Sequence, residues 1–454
     1  MSHNRSTPSS HLAGTRTFLG KALACEASSV GLELASRLAD PSSDPHRVDP
    51  LGADGQHPIG SVRPTELVGS SLVFIQASRV ATTADKSDSY LDLAWQSLRQ
   101  ASAITAAAPL GSPALFGGGA GFASALRVAT SVEERFSRSL QALDSSLGEQ
   151  ILNTPAAKRE RGLRFDDFDI ISGAAGTLSY LGSIHKPEGP AKRARDSLEH
   201  YINDLGQSLI AGNLDRVTIF PENYPLPLYE EMFPDGYINT GLSHGIPGML
   251  LALSIAAGQA SDPRSMETIE GIHEWVLGAS VSDGWGQGVS STPGSASGDC
   301  KDLNCSTDHS ELFAWCYGTP GVCIAMLAAG RALGSIEMVD NAVACFERGL
   351  ERFLSSASPI FTPTLCHGYA GIVLIVAEFA SAGSLLCRER LPQMTENLLA
   401  QIDLDTPFGV RDQDTPGHFV DDPTVLTGSA GVSLLLLSLV EEPVDGLWLP
   451  FLGS

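Results

Sequence analysis

Three side chains stand out for their chemistry and their placement. One stretch reads Trp315, Cys316, Tyr317, Gly318, Thr319, Pro320, Gly321, and a later one reads Leu365, Cys366, His367, Gly368, Tyr369, Ala370, Gly371. In both, soft or borderline metal ligands come just before a Gly-x-x-Gly turn that opens an apolar run. Two thiols and an imidazole on two equivalent turns would leave a tetrahedral ion one open position, the layout of a catalytic zinc site rather than of a structural site closed by four protein ligands. The competing reading is two buried thiols and a core histidine.

The same point of an earlier turn carries a second candidate. His244 directly precedes Gly245 in the run from Asn239 to Gly248. A histidine at that place is an acid/base candidate, because its pKa lies near neutrality; its bland alternative is a satisfied core residue. Asp169 lies four residues before Gly173, where it is a helix N-cap, a surface charge or a functional carboxylate. Cys323, Cys345 and Cys387 lie within or beside apolar helices and read as small hydrophobes. Cys300, Cys305, Asp308 and His309 form a weaker cluster whose spacing is not a zinc signature, so a solvated loop is the default there.

These residues hang on an internal repeat. Six Gly-x-x-Gly turns begin at Gly118, Gly173, Gly245, Gly318, Gly368 and Gly428, so their starts are 55, 72, 73, 50 and 60 residues apart. Each opens a run apolar nearly all round, as a helix buried on every side requires. Between them lie amphipathic segments expected as helices: Leu91 to Ala107, Val132 to Leu147, Lys192 to Ala211, Ser265 to Leu277, Ile336 to Leu354 and Arg388 to Ile402. Buried and half-exposed helices in alternation imply helical hairpins, and two ligand-bearing turns that share an ion imply that the hairpins close into a ring. The fold class expected is all-α, a double α/α toroid with the Gly-x-x-Gly turns at one end. The glycines permit positive φ and close backbone approach there, and Pro247 and Pro320 suit a first helical turn.

The bulk numbers bound the function. A chain of 454 residues with 43% apolar and 18% charged residues is globular, and a net charge of -23 argues against nucleic acid as a partner. Neither a signal peptide nor a membrane span is legible, so a cytoplasmic protein is expected. Eight cysteines in so long a chain make no disulfide scaffold. Residues 1–14 read as a disordered tail and 15–454 as one domain, with a helix from Arg16 to Leu38 and loop insertions near 40–63, 213–239 and 280–310. The second insertion includes Val217 to Tyr224, a candidate short strand; the second and third are candidate lids or substrate-binding loops.

The segments Asn239 to Gly248, Trp315 to Gly321 and Leu365 to Gly371 closely resemble those of the lanthionine synthetase C-like cyclases. That resemblance implies a toroid of seven inner and seven outer helices, of which six Gly-x-x-Gly turns are legible here; the seventh hairpin is then degenerate and built with the N-terminal helices. It implies that Cys316, Cys366 and His367 bind one Zn²⁺, that His244 is the acid/base histidine, that Asp169 is the catalytic aspartate, and that Tyr317 matches a tyrosine beside the zinc cysteine. Leu312 departs from the pattern, standing where several relatives carry an arginine.

The chemistry implied is addition of a zinc-activated cysteine thiolate to dehydroalanine or dehydrobutyrine in the same peptide, closing a lanthionine or methyllanthionine ring. Coordination deprotonates a thiol that is mostly protonated when free, and the enolate formed needs a proton at Cα. No dehydratase fits in the remaining residues. The partners implied are therefore a dehydrated, leader-bearing precursor, a separate dehydratase and an exporter complex, which would place the protein beside a membrane-associated assembly. Competing readings are addition of glutathione to dehydroamino acids in proteins, and a non-catalytic peptide-binding scaffold of the same fold. A zinc prenyltransferase fits less well, because its ligand set includes a carboxylate.

Overall fold

The computed structural model describes residues 12, 14–40, 64–107, 110–154, 159, 161–259, 262–280, 284–290, 313–356, 362–415 and 417–453. Most of the expected 1–14 tail, the 40–63 loop past residue 40, Leu312 and the cluster Cys300, Cys305, Asp308 and His309 lie outside them. So does the 280–310 insertion, apart from 280 and 284–290.

Among the described residues, fourteen helices of ten residues or more carry the fold. They are α1 (Lys21–Ala39), α2 (Pro64–Val80), α3 (Ala84–Ala107), α4 (Gly119–Val132), α5 (Ser137–Asn153), α6 (Ala174–Ser183) and α7 (Gly189–Ile210), followed by α8 (Ile246–Gln259), α9 (Pro263–Gly278), α10 (Thr319–Leu333), α11 (Ile336–Ser355), α12 (Tyr369–Ser381), α13 (Leu385–Leu399) and α14 (Ser429–Val440). Each Gly-x-x-Gly turn opens a buried helix: α4, α6, α8, α10, α12 or α14. Every residue of α14 is buried, whereas α11 buries only Ala342, Phe346, Gly349 and Leu350 on one stripe. That contrast is the inner and outer alternation read from the sequence.

The turn glycines are there for close approach. At the second glycine, a Cβ would lie 2.1 Å (Gly121), 2.0 Å (Gly176), 2.6 Å (Gly248), 2.1 Å (Gly321) or 2.0 Å (Gly431) from the carbonyl oxygen six residues earlier. No side chain fits against a backbone atom at that distance, so the preceding loop can wrap the helix start only when glycine stands there. Positive φ, the other expected reason, applies among the twelve turn glycines only to Gly318, at 87°.

The chain divides into two compact units, residues 1–109, 128–134 and 359–448, and residues 110–127, 135–358 and 449–454. In the second unit α6 pairs with α7, α8 with α9 and α10 with α11, while α6, α8 and α10 pack in succession. The part of α4 in this unit meets α5 through Arg127, 2.8 Å from Asp144, and through Gly119 against Leu147. Main-chain bonds join consecutive turns: Phe116 N–H donates to Ile171 O (3.0 Å), Ile170 N–H to Ser243 O (3.1 Å) and Ser243 N–H to Cys316 O (3.1 Å).

In the first unit α2 pairs with α3, α12 with α13, and α14 with the N-terminal α1. The last pair is a hairpin closed by the opposite end of the chain. Ser433 Oγ donates to Gly31 O at 2.8 Å, and a Cβ on Gly31 would lie 3.1 Å from Leu437, so the helices meet where α1 has no side chain. The degenerate member is α2, a buried helix with no Gly-x-x-Gly turn that the sequence did not announce. Its Gln76 amide donates to Glu441 O at 3.1 Å and its Oε1 accepts from Val444 N–H at 3.3 Å. The helix expected from Arg16 to Leu38 is broken at Gly20, where φ is 75°, into Thr15–Leu19 and α1.

Two small ladders accompany the helices. β1 (Tyr237–Asn239) pairs antiparallel with β2 (Gly288–Ser290), Ile238 facing Val289. Of the strand expected at Val217 to Tyr224, only Ile219 pairs, in a bridge to Tyr237. β3 (Arg411–Thr415) and β4 (His418–Asp421) form a hairpin that the sequence reading left out.

Candidate active site and metal centre

Cys316, Cys366 and His367 are the one group of three such ligands found among the described residues, their ligand atoms within 4.8 Å of one another. The donor set suits zinc: two thiolates and one imidazole, with a fourth position open. Cys323 and Cys387 are fully buried, in line with the hydrophobic role read for them.

His367 is aimed by a residue that the sequence did not reveal. Its Nε2 lies 2.9 Å from Oδ1 of Asp412, on β3, which leaves Nδ1 as the ligand nitrogen. Thr362 (2.9 Å) and Thr364 (3.2 Å) donate their hydroxyls to the same oxygen. The bond to Asp412 and a second to Cys366 push His367 up to about 10, so without a metal the ring is an imidazolium whose Nδ1 proton an incoming cation must displace. Burial alone would raise Asp412, but the bonds from His367 and Thr362 outweigh it and hold the carboxyl below its usual range. A carboxylate behind a metal-binding histidine is the arrangement that fixes tautomer and ring direction.

Asp169 is completely buried; it is not the helix N-cap, which is Gly173, and its two oxygens serve different partners. Oδ1 accepts from the N–H groups of Ser172 and Gly173, each at 2.7 Å, at the start of α6. Oδ2 lies 2.5 Å from Nδ1 of His244. One oxygen therefore satisfies backbone donors while the other holds Nδ1 of the histidine, leaving Nε2 outside that contact. Phe165 stacks on the imidazole at 4.5 Å and 14°. Ser243, next to this histidine, is joined to the candidate ligand Cys316, because its N–H and its Oγ (3.2 Å) both donate to Cys316 O.

Tyr317 completes the turn. Its ring centroid is 6.3 Å from that of His244, and its phenol oxygen accepts from Asn239 Nδ2 at 3.1 Å. Gly241 lies flat against the ring, where a Cβ would be 2.4 Å from Cδ1. Burial raises its pKa well above the ordinary tyrosine value, so the group is a neutral hydrogen-bonding phenol. Trp315 is structural: wholly buried, it donates Nε1–H to Phe451 O at 3.0 Å. Asn239, Phe165 and Asp412 are the site residues to which the sequence reading gave no role. Asn239 at least opened a recognisable motif, whereas Asp412 lies 45 residues from His367 in a stretch with several other carboxylates.

A family model described as lanthionine synthetase C-like protein matches residues 67–449. The chain is 26% identical over 272 residues to the nisin biosynthesis protein NisC of Lactococcus lactis subsp. lactis. That match takes in 58% of this chain and 62% of the relative, a little under two thirds of its length. Among solved structures, a nisin cyclase superposes with a TM-score of 0.69 over 94% of this chain and 96% of that one, at 19% identity. At such identity the likeness bears on fold, and the fold class is the expected all-α toroid. No helix among the described residues is long and apolar enough to cross a membrane.

Proposed function

This chain belongs to the lanthionine synthetase C-like family, and from that premise we propose that it closes thioether rings in a dehydrated peptide, using a zinc ion held by Cys316, Cys366 and His367. The observation that carries this reading is the convergence of those three ligands beside a histidine whose tautomer is fixed. Zinc bound there would supply a substrate thiolate at neutral pH, where a free thiol of pKa about 8.5 is only a few per cent ionised.

The protein's own groups manage the rest. As sulfur bonds to the β-carbon of dehydroalanine or dehydrobutyrine, the π pair moves toward the carbonyl oxygen and an enolate forms. His244, in its protonated form, delivers a proton from Nε2 to Cα and is left neutral, with Nδ1–H still directed at Asp169. Asp169 acts through the histidine, orienting it and stabilising its cationic form. Asp412 keeps His367 turned toward the thiols. Tyr317 offers a neutral phenol beside the histidine. The substrate is a lanthipeptide precursor with its leader, dehydrated beforehand by a separate enzyme in the cytoplasm.

Ring closure leaves mass unchanged but removes a thiol, so alkylation followed by mass spectrometry reads it directly. With a dehydrated precursor, the wild-type protein should protect cysteines from alkylation and Cys316→Ala should not. Full alkylation in both, at the rate without protein, would refute the proposed activity.

A further inference from the structure

The contact between Asp169 and Nδ1 holds His244 at one atom only. It sets where that nitrogen lies, but the ring is still free to turn about the contact, and the χ2 torsion of a histidine is broad. Such turning swings Nε2, the atom that has to meet Cα. A second contact is needed to fix the plane of the ring, and Phe165 makes it. Its ring lies 4.5 Å from the imidazole, centroid to centroid, and 14° from parallel, at the near end of the range for stacked aromatic pairs. Tyr317 is farther off and tilted, at 6.3 Å and 46°, so Phe165 is the ring that defines the plane.

Phe165 and Asp169 belong to one helical turn, Phe165–Phe168, closed by the Asp169 N–H donating to Phe165 O at 2.9 Å. Residues at that spacing are neighbours on one face. The same turn therefore meets the histidine twice, face-on with a phenyl ring and edge-on with a carboxylate. It is also braced. Buried Asp167 accepts from Arg164 N–H at 2.8 Å and from Arg159 through Nε (2.5 Å) and Nη2 (3.1 Å). The chain leading into the turn is fastened to the 213–239 insertion: Gly162 N–H donates to Asp215 O (3.0 Å) and Leu163 N–H to Thr218 O (2.9 Å). The Arg161 guanidinium lies 3.6 Å over the Phe220 ring, and Arg164 Nε donates to Asn223 Oδ1 at 3.1 Å. Glycine is required at 162, where φ is 71° and an ideal Cβ would lie 2.6 Å from the Phe220 ring. Phe165 is itself only half-buried, so this bracing, more than enclosure, holds its ring in place.

We propose that Phe165 is a positioning residue of the ring-closing reaction, which fixes the plane of the His244 imidazole so that Nε2 presents its proton in one direction. This rests on the function proposed above, in which His244 protonates Cα. Phe165 acts through the histidine alone, as Asp169 does, and the braced turn that carries both sets the ring's tilt and its Nδ1 partner together. The alternative is that Phe165 only fills space beside the histidine.

Phe165→Leu separates the two, since it keeps a comparable apolar volume and loses the flat face. The substrate is a peptide with one cysteine and one dehydroalanine, followed by alkylation and mass spectrometry, with zinc content and urea unfolding measured alongside. Misplacing a catalytic group by about 1 Å costs about 10²-fold, so kcat should fall by about that factor with KM and zinc content unchanged. Phe165→Tyr, which restores a flat ring, should recover most of the loss. In a His244→Ala background, Phe165→Leu should change kcat by less than about threefold, because the two side chains act as one unit. A Phe165→Leu kcat within about threefold of wild type, a raised KM with kcat intact, a Phe165→Tyr variant no faster than Phe165→Leu, or the full loss repeated without His244 would overturn the proposal while leaving the cyclase reading in place. Failure of the wild type itself to close the ring would overturn both.

Discussion

Asp169→Asn tests how the buried carboxylate works, because the change is nearly isosteric and removes only charge. The amide oxygen can still accept from Ser172 and Gly173 at the present 2.7 Å, so the turn ahead of α6 stays capped. The amide nitrogen then faces Nδ1 of His244, now 2.5 Å from a carboxylate oxygen, and both would be donors unless the imidazole changes tautomer. Replacing a charge-assisted hydrogen bond by a neutral one costs about 1 kcal/mol of stability, which a fold of ordinary stability tolerates. The kinetic effect is larger: a histidine in the wrong tautomer, without a carboxylate to stabilise its cation, should be about 10²- to 10⁴-fold slower. Asp169→Ala behaves differently, because it strands the N–H groups of half-buried Ser172 and buried Gly173 and should cost about 2–4 kcal/mol, from uncapping the turn ahead of α6 and leaving unsatisfied groups. The assay is cysteine alkylation against time with a dehydrated peptide, alongside urea unfolding and zinc content. Asp169→Asn that is folded, zinc-loaded and within threefold of wild-type kcat would refute the tautomer argument; Asp169→Ala as stable as wild type would refute the cap argument.

Asp412→Ala removes the acceptor behind His367, and zinc affinity measured by competition with a chelator should weaken about 10- to 100-fold, while Cys316 and Cys366 remain. Gly321→Ala places a Cβ 2.1 Å from Trp315 O; because backbone must move, urea unfolding should show a loss of about 3 kcal/mol or more. Gly31→Val would press on Leu437, already 3.1 Å from an ideal Cβ at that position, and should loosen α1 from α14, detectable as faster amide exchange in both helices.

The sequence made the repeat legible because its punctuation is a steric requirement: a Cβ at Gly176 or Gly431 would strike a backbone oxygen at 2.0 Å, so glycine recurs at each turn. The ligands were legible for a related reason, since they occupy equivalent points of equivalent turns. The helix α2 was missed because no Gly-x-x-Gly stands at its start in the sequence to mark it. Pairing of α14 with α1 depends on a bare surface at Gly31, a contact between chain ends that no local pattern encodes. Asp412 is harder still: nothing in the run from 403 to 422 distinguishes it from the neighbouring acids until β3 folds it against His367. The dual use of Asp169 was half legible, because its spacing from Gly173 placed it at the turn and only the fold added His244.

Zinc content per chain is the most direct test of the account. It should be determined by elemental analysis on wild type and Cys316→Ala purified without chelators. About one zinc per wild-type chain and close to none in the variant is the predicted result, since a site of two cysteines and one histidine cannot hold the ion on two ligands. Wild-type protein that is folded and free of zinc, or a Cys316→Ala variant that retains a full equivalent, would contradict it.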